Sequence, residues 1–281
     1  MINILISFAH WDESVLDLPV FKKNKVRLFI DSGAYTNFTQ KKDVVTLDDY
    51  AHFLKEHKSI VWNYVNLDKI GCAETSQHNL KVLESKGLKP IPVFTKSTKK
   101  QTSQQRLQSL YEFQKDYEYI CLGGIAGGLT KKNNKNYLYQ CCHYLNKWKK
   151  KYHFLGCGNT QILRLIKPYS SDSSASSLFA AYGQINLFYQ GKFYAVLSPR
   201  KKTYRPCKEV KVLRAYGLTT KQVNSPEFWL SSHLKYRTEI NIMSYCKFAD
   251  YMSMFDCKYF QAMIPTHFDQ INSAYERLYG L

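Results

Sequence analysis

The chain lacks any apolar run that approaches the roughly 20 residues needed to cross a membrane as a helix. Its first residues, MINILISFAHWDES, contain neither a basic leader nor a small-residue cleavage site. We therefore expect no signal peptide, no association with a membrane and a cytoplasmic location.

The eight cysteines include no CxxC pair. Cys72, Cys121 and Cys157 lie within or just after apolar runs, where cysteine acts as a small hydrophobic residue. Folding could gather four further residues whose spacing matches no zinc signature, namely Cys207, Cys246, Cys257 and His267. We expect neither disulfides nor a metal.

Acidic residues are scarce, since 22 Asp and Glu stand against 40 Lys and Arg and leave a formal net charge of +18. Any one basic segment is explained by a solvated surface. Together, so many segments favour a polyanionic partner, because neutralising phosphates releases counterions and drives binding. We therefore expect a nucleic acid as partner. The basic residues cluster in KKNK (22–25), KSTKK (96–100), KKNNK (131–135), KWKKK (147–151) and PRKKTYR (199–205).

Strand-like apolar runs alternate with segments of helical spacing, which is typical of parallel βαβ units. The predicted strands are 2–8, 26–31, 60–68, 89–95, 118–123, 152–157, 169–173 and an eighth within 185–197. The predicted helices are 46–57, 74–87, 103–115 and 136–151, with one long helix or two over 226–255.

Eight strands in about 200 residues predict an α/β fold of the (β/α)8 TIM-barrel type. An open, doubly wound sheet is the alternative. We see no linker or repeat, so we predict a single domain over 1–281. Its barrel covers about 1–198, and a basic, turn-rich and helical C-terminal extension covers about 199–281.

Carboxylates and glycines follow several predicted strands, and active sites of such barrels lie at the carboxyl ends of the strands. Asp31 ends the second strand, Asp68 ends the third, and Asp172 lies among serines in the seventh. An Asp in this position is often only a helix cap or a turn residue. Two carboxylates that face one pocket also suit chemistry at the anomeric carbon of a sugar, where one attacks C1′ and the other transfers a proton.

Five of these motifs, in order over about 27–180, resemble the tRNA-guanine transglycosylase superfamily. DSGAY (31–35) is similar to its DSGG-aromatic motif, and NLD (66–68) to its base-binding aspartate. CLGGIAGG (121–128) is similar to its LGG loop, YHFLGCGN (152–159) to the next strand, and SSDSS (170–174) to the strand with the second catalytic aspartate. The resemblance implies a (β/α)8 barrel that replaces guanine in a polynucleotide with a 7-deazaguanine.

The resemblance also implies roles for individual residues. Asp172 would be the nucleophile that forms a glycosyl-enzyme at C1′, and Asp31 the general acid and base. Asp68, Gly123 and Gly124 would hydrogen-bond the base, on which Tyr35 would stack. The full set of implied base-binding residues is Ser32, Gly33, Tyr35, Asn66, Asp68, Gly123, Gly124 and Ile125.

Two departures from the tRNA enzymes favour a different substrate. The chain lacks their CxCxxC zinc element, and PVFTKST (92–98) replaces their glutamine-glycine turn. Both differences favour the DNA-acting branch of phages and bacterial DNA-modification clusters. We therefore expect a DNA-guanine transglycosylase located in the host cytoplasm if the gene belongs to a phage. It would use a 7-deazaguanine base such as 7-cyano-7-deazaguanine as co-substrate and no metal or other cofactor.

Three alternatives remain open at this point. The substrate could be tRNA, the protein could be a basic nucleic-acid-binding barrel without turnover, or it could be a sugar hydrolase. The sequence leaves the oligomeric state undetermined.

Overall fold

The computed structural model describes residues 2–22, 26–95, 102–123, 132–263 and 268–279, without the side chains of 103, 132–135, 137, 177 and 268. Two units are distinguished by their internal contacts. The first comprises Met1–Trp11, Arg27–Ser173 and Asp256–Ala262, and the second comprises Asp12–Val26, Ser174–Phe255 and Met263–Leu281.

The strands and helices alternate along most of the chain. The described strands are β1 Ile2–Ser7, β2 Val26–Asp31, β3 Val61–Tyr64, β4 Val93–Phe94, β5 Tyr119–Leu122, β6 Lys151–Phe154, β7 Ser170–Ser173, β8 Gln184–Tyr189, β9 Lys192–Leu197 and β10 Lys258–Met263. The described α-helices are α1 Pro19–Lys22, α2 Ala34–Gln40, α3 Leu47–Glu56, α4 Ala73–Ser85, α5 Ser103–Gln114, α6 Lys132–Lys147, α7 Thr160–Ile166, α8 Ala175–Ala181, α9 Val210–Arg214, α10 Thr220–Asn224, α11 Leu234–Ser253 and α12 Phe268–Tyr279.

Eight strands form one parallel sheet in the order β3-β2-β1-β10-β7-β6-β5-β4. Its two edges meet at a single isolated parallel bridge between Val65 and Ile91. The Ile91 N–H donates to the Tyr64 carbonyl at 2.8 Å, and the Asn66 N–H donates to the Ile91 carbonyl at 2.9 Å. The α/β class and the barrel-like sheet are therefore confirmed, although continuous strand pairing does not close the barrel.

The sheet curls around an apolar interior. Phe29 of β2 contacts His153 of β6, with ring centroids 4.8 Å apart, and Phe260 of β10 at 5.2 Å. Because β2 and β6 are separated by three strands in the sheet, such a contact requires strong curvature. The same core contains Leu5, Phe29, Val65, Ile91, Val93, Cys121 and Phe260.

Helix starts and ends follow local sequence signals. The Thr46 hydroxyl accepts from the Asp49 N–H at the start of α3, as the Thr-Leu-Asp-Asp pattern predicts. Thr102 and Gln105 form a reciprocal capping box at the start of α5. Helix α4 ends just before Gly87, whose φ of +80° lies in the left-handed region.

The predicted eighth strand is wrong in its placement. The segment 185–197 forms the antiparallel hairpin β8–β9, which is a separate two-stranded sheet. Gln190 and Gly191 connect the two strands with φ of +46° and +78°, a tight turn that favours antiparallel pairing. The large sheet instead takes β10, which lies beyond the predicted barrel limit near residue 198 and pairs in parallel with β7.

The second unit is organised around α11, which packs against α8, α12 and β8. Side chains of α11 satisfy the backbone of β8, since Asn241 Oδ1 accepts from the Asn186 N–H at 2.8 Å and Ser244 Oγ from the Phe188 N–H at 2.6 Å. The predicted helical C-terminal region is confirmed. No helix in the described part of the chain has the length and apolarity required to span a membrane.

The turn between β2 and α2 generates the first prediction. Gly33 has φ of +84°, and a Cβ there would lie 2.8 Å from Ala9 Cβ and 3.0 Å from Val45 Cγ2. Gly87 has the same left-handed backbone at φ +80°, but a Cβ there would meet no atom within 4 Å. We expect Gly87→Ala to lower the free energy of unfolding by about 1 kcal/mol and Gly33→Ala by a further 1–3 kcal/mol or so.

Denaturant unfolding of the two variants measures this difference, and Gly87→Ala is the control for backbone strain alone. Equal losses in the two variants would show that the close approach of Ala9 and Val45 is relaxed without cost.

Candidate active site

Asp31 lies at the carboxyl end of β2, where the chain turns sharply into α2. The left-handed Gly33 directs its N–H back to Asp31 Oδ2 at 3.1 Å. Burial raises the pKa of the Asp31 carboxyl, and the nearby charge of Asp172 raises it further, although hydrogen bonds from Gly33 and Ser7 act in the opposite direction. The pKa of Asp31 therefore lies above the usual value for an aspartate.

Asp172 projects from β7 and is almost fully buried. Its Oδ1 accepts from the Gly156 N–H at 2.9 Å and contacts His153 Nε2 at 3.0 Å. Gly156 follows β6 with φ of +68°, a left-handed conformation that glycine adopts without strain. One backbone donor and one histidine nitrogen thus meet at the same oxygen of Asp172.

Asp68 is the third carboxylate of this end of the sheet, four residues after β3. Burial is the largest cause that raises its pKa, to about 7, and the charge of Asp31 is the next. Asp68 lines a cavity of about 300 Å³, together with Asn37 and Phe38 of α2 and Asn79 of α4. This cavity offers three ionisable groups, two amides and an aromatic ring to a ligand, and neither Asp31 nor Asp172 lines it.

Cys121 of β5 lies among the three carboxylates. Burial raises the pKa of its thiol well above the usual value, and the charges of Asp172, Asp68 and Asp31 each raise it further. The thiol therefore stays protonated, and Cys121 packs as the small apolar residue that its strand position predicts. Its surroundings show that the structure brings Asp31, Asp68 and Asp172 within electrostatic reach of one another.

The remaining DSGAY residues differ in their surroundings. Ser32 is fully buried, and its Oγ has no hydrogen-bond partner among the described residues. The ring of Tyr35 is 64% exposed, and Tyr35 does not line the Asp68 cavity. Phe38, which is 57% exposed, does line it. Helical geometry explains the difference, because Asn37 and Phe38 share a face with Ala34, and Tyr35 lies on another.

Asn66 and Gly123 make structural bonds that limit their predicted roles. Asn66 Nδ2 donates to the Ser76 carbonyl of α4 at 2.8 Å, and its side chain faces a second cavity of about 420 Å³, formed by α4, β4 and α5. The Gly123 N–H donates to the Phe94 carbonyl at 2.9 Å, so only its C=O is left for a ligand. Gly124 and Ile125 lie outside the described residues.

Only two of the predicted basic segments are fully described. Lys147–Lys151 ends α6 and begins β6, so it lies at the opposite end of that strand from the carboxylates. The segment 199–205 belongs to the second unit and is mostly exposed. Three lysines that no basic segment included lie on the loops after α2 and β3, at the carboxylate end: Lys41, Lys42 and Lys69.

Comparison with known proteins adds no relative. The chain matches no protein-family model and no curated protein sequence. The proposed chemistry therefore depends on the residues themselves and on the resemblance of their motifs. Among the described residues, no group of three or more His, Cys, Asp and Glu side chains is arranged to hold a metal ion.

His153, which contacts Asp172, was not among the site residues predicted from the sequence. It lies in an apolar run, YHFLG, that looks like an ordinary buried strand. The signal in the sequence was a histidine within the predicted strand 152–157, which includes Gly156, together with an aspartate in the next predicted strand. In the structure, His153 pairs in register with Ser170, two residues before Asp172.

The raised pKa of Asp68 generates the second prediction. The folded protein holds a proton on Asp68 up to about pH 7, whereas the unfolded chain releases it near 3.8. Stability relative to an uncharged side chain therefore falls as pH rises from about 4 to about 7 and stays low above that. We expect Asp68→Asn to be more stable than the wild type at pH 8, by up to about 4 kcal/mol.

Unfolding midpoints at pH 5, 6, 7 and 8 measure the difference, which should grow with pH and level off. Asp48→Asn is the control, because Asp48 is an exposed carboxylate paired with Lys86. A gain that is independent of pH would mean that Asp68 is not the titrating group.

Proposed function

We propose that the chain is a DNA-guanine transglycosylase that exchanges guanine for a 7-deazaguanine by double displacement. The observation that carries this proposal is the contrast between two nearby carboxylates. Burial and a neighbouring charge raise the pKa of Asp31, whereas Asp172 Oδ1 accepts from the Gly156 N–H and contacts His153 Nε2. Two carboxyl groups in such different surroundings suit acid-assisted nucleophilic displacement at C1′, with Asp31 as the acid and Asp172 as the nucleophile.

In the first displacement, a lone pair of the Asp172 carboxylate attacks C1′ of the deoxyribose. The C1′–N9 bond breaks, and its electron pair goes to the departing guanine. Asp31 transfers its proton to that base, so a neutral guanine leaves. The products are a glycosyl ester on Asp172 and an ionised Asp31.

The second displacement reverses this order with a different base. The N9–H group of the 7-deazaguanine gives its proton to ionised Asp31, and N9 attacks C1′. The C1′–oxygen bond of the ester breaks, and its electron pair restores the Asp172 carboxylate. Asp31 ends protonated, so the cycle needs no external acid, base or energy source.

Asp68 is suited to hydrogen-bond the donor edge of a guanine-type base. Guanine and 7-deazaguanines both present an N–H and an exocyclic amino group on that edge, and the oxygens of Asp68 can accept from both once Asp68 is ionised, which its pKa of about 7 permits near neutral pH. The Asp68 cavity, at about 300 Å³, accommodates a purine, and Phe38 provides an exposed ring beside it. We assign stacking on the base to Phe38 in addition to the predicted Tyr35.

The choice of DNA rests on charge and on the two departures from the tRNA enzymes. The net charge of +18 suits a polyanion, and Lys41, Lys42 and Lys69 lie at the carboxylate end of the sheet. The base has to leave the helical stack before its C1′ can be attacked, so the substrate is a flipped or single-stranded nucleotide.

The third prediction concerns base exchange itself. We expect the wild type to incorporate labelled guanine or 7-cyano-7-deazaguanine into DNA and not into tRNA. Asp172→Ala should abolish incorporation and leave the affinity for DNA within about two-fold, because the nucleophile contributes little to phosphate binding. Scintillation counting of precipitated nucleic acid and a filter-binding titration measure the two effects.

Asp48→Ala is the matched control, since it removes the same charge from an exposed position. Incorporation into tRNA alone would transfer the proposal to the tRNA branch. Salt-sensitive DNA binding without any exchange would identify a binding protein, and continued incorporation by Asp172→Ala would exclude Asp172 as nucleophile.

The fourth prediction separates the acid from the nucleophile. Asp31→Asn should lower the rate of guanine release by about 10²–10⁴-fold, because the departing base no longer receives a proton. DNA that contains 7-methylguanine bypasses this need, because that base is already cationic and leaves neutral. We therefore expect Asp31→Asn to form a covalent protein–DNA adduct with methylated DNA, and Asp172→Ala to form none.

Denaturing gels of the adduct measure both results with the same DNA. Equal impairment of Asp31→Asn on methylated and unmodified guanine would show that Asp31 is not the acid that protonates the base.

A further inference from the structure

His153 is a buried polar side chain within the apolar interior of the first unit. It is fully inaccessible, and its ring lies against Phe29 with centroids 4.8 Å apart and against Phe260 at 6.3 Å. A polar ring in such surroundings has to be hydrogen-bonded on both nitrogens. Nε2 contacts Asp172 Oδ1 at 3.0 Å, and Nδ1 contacts Ser170 Oγ at 2.5 Å.

The contacts continue beyond Ser170. Its Oγ also lies 2.5 Å from the hydroxyl of Tyr119 on β5. Burial raises the pKa of Tyr119 well above its usual value, so that hydroxyl keeps its proton. Three neighbouring strands thus contribute one side chain each to a series of hydrogen bonds that leads to Asp172: Tyr119 from β5, His153 from β6 and Ser170 from β7.

The direction of the hydrogen bonds follows from what each group can donate. A carboxylate only accepts, so His153 Nε2 carries a proton. In a neutral ring Nδ1 then accepts from the Ser170 hydroxyl, and Ser170 Oγ accepts from Tyr119. Each of the three groups therefore donates its single proton to the next group on the way to Asp172.

A cationic ring fits the same geometry less well. Its Nδ1–H would donate to Ser170, which would donate to the Tyr119 oxygen. The Tyr119 proton would then need another acceptor, and the described residues provide none within hydrogen-bond distance.

We propose that His153 is a positioning residue for Asp172, held as the neutral Nε2–H tautomer by Ser170 and Tyr119. This role rests on the proposed function. The His153 and Gly156 N–H groups both bind Oδ1, which leaves Oδ2 as the oxygen that attacks C1′. The His153 proton stays on the ring throughout.

The same two donors act again when the ester is cleaved. As the C1′–Oδ2 bond breaks, its electron pair spreads over both oxygens of the departing carboxylate. The N–H groups already directed at Oδ1 stabilise this developing charge without any rearrangement. His153 therefore assists both displacements while touching neither the sugar nor the base.

The fifth prediction tests this role by kinetics. His153→Leu removes the donor at similar volume and should lower kcat for base exchange by about 10²-fold, with DNA affinity unchanged. His153→Gln retains an N–H at the position of Nε2 and should stay within about ten-fold of the wild type. A purely structural role predicts equal losses in both variants, and equal losses or an unchanged kcat in His153→Leu would overturn the proposal.

A second measurement needs no catalysis and no substitution. Long-range ¹H–¹⁵N NMR of histidine-labelled wild type at pH 7.5 should show the His153 ring with a proton on Nε2 and none on Nδ1. In Ser170→Ala, the tautomers should mix, because Nδ1 has lost its donor. A cationic ring or an Nδ1–H tautomer in the wild type would overturn the proposal even if His153→Leu fails to fold.

The two measurements also separate this inference from the proposed function. The wild type could show the Nε2–H tautomer but neither base exchange nor a covalent adduct. That result overturns the proposed function together with the positioning role of His153. An active wild type with the opposite tautomer overturns the role of His153 alone.

Discussion

The contacts of Asp172 Oδ1 with the Gly156 N–H and with His153 Nε2 hold one carboxyl group in place, and the rest of the carboxylate end depends on it. Three aspartates lie near one another in a largely buried region, and they cannot all be ionised at little cost. The charge of Asp172 raises the pKa of Asp31, and the charge of Asp31 raises the pKa of Asp68.

The curled sheet holds this arrangement in place. Phe29, His153 and Phe260 fill the interior below the carboxylates, so the residues that support Asp172 are fixed by close packing. The hydrogen-bonded side chains Tyr119, Ser170 and His153 come from adjacent strands, whose spacing is set by backbone pairing. Strand pairing, together with the turn at Gly156, therefore positions the carboxyl group of Asp172.

The sequence predicted the strand ends better than the strand partners. Asp31 and Asp68 were singled out because each ends a short apolar run, and Asp172 because its serine-rich segment lies where the next strand is expected. Strand β10 was missed because a long segment of the second unit separates it from its partner β7, and pairing at that distance leaves no local trace in the sequence. Phe38 and His153 were missed for different reasons. The position of Phe38 beside the cavity depends on which face of the seven-residue helix α2 it occupies. His153 looked like a core residue until the structure showed a polar partner for each of its ring nitrogens.

The bridge between Val65 and Ile91 has a mechanical consequence. It is the only strand-type link between the β3 and β4 edges within the described residues, so this seam needs fewer broken bonds to widen than the paired strands. Asp68 lies three residues beyond Val65, whereas Asp172 is anchored by the pairing of β7 with both of its neighbours. Local opening of this sheet would therefore begin at the seam, beside Asp68, and leave the position of Asp172 unchanged.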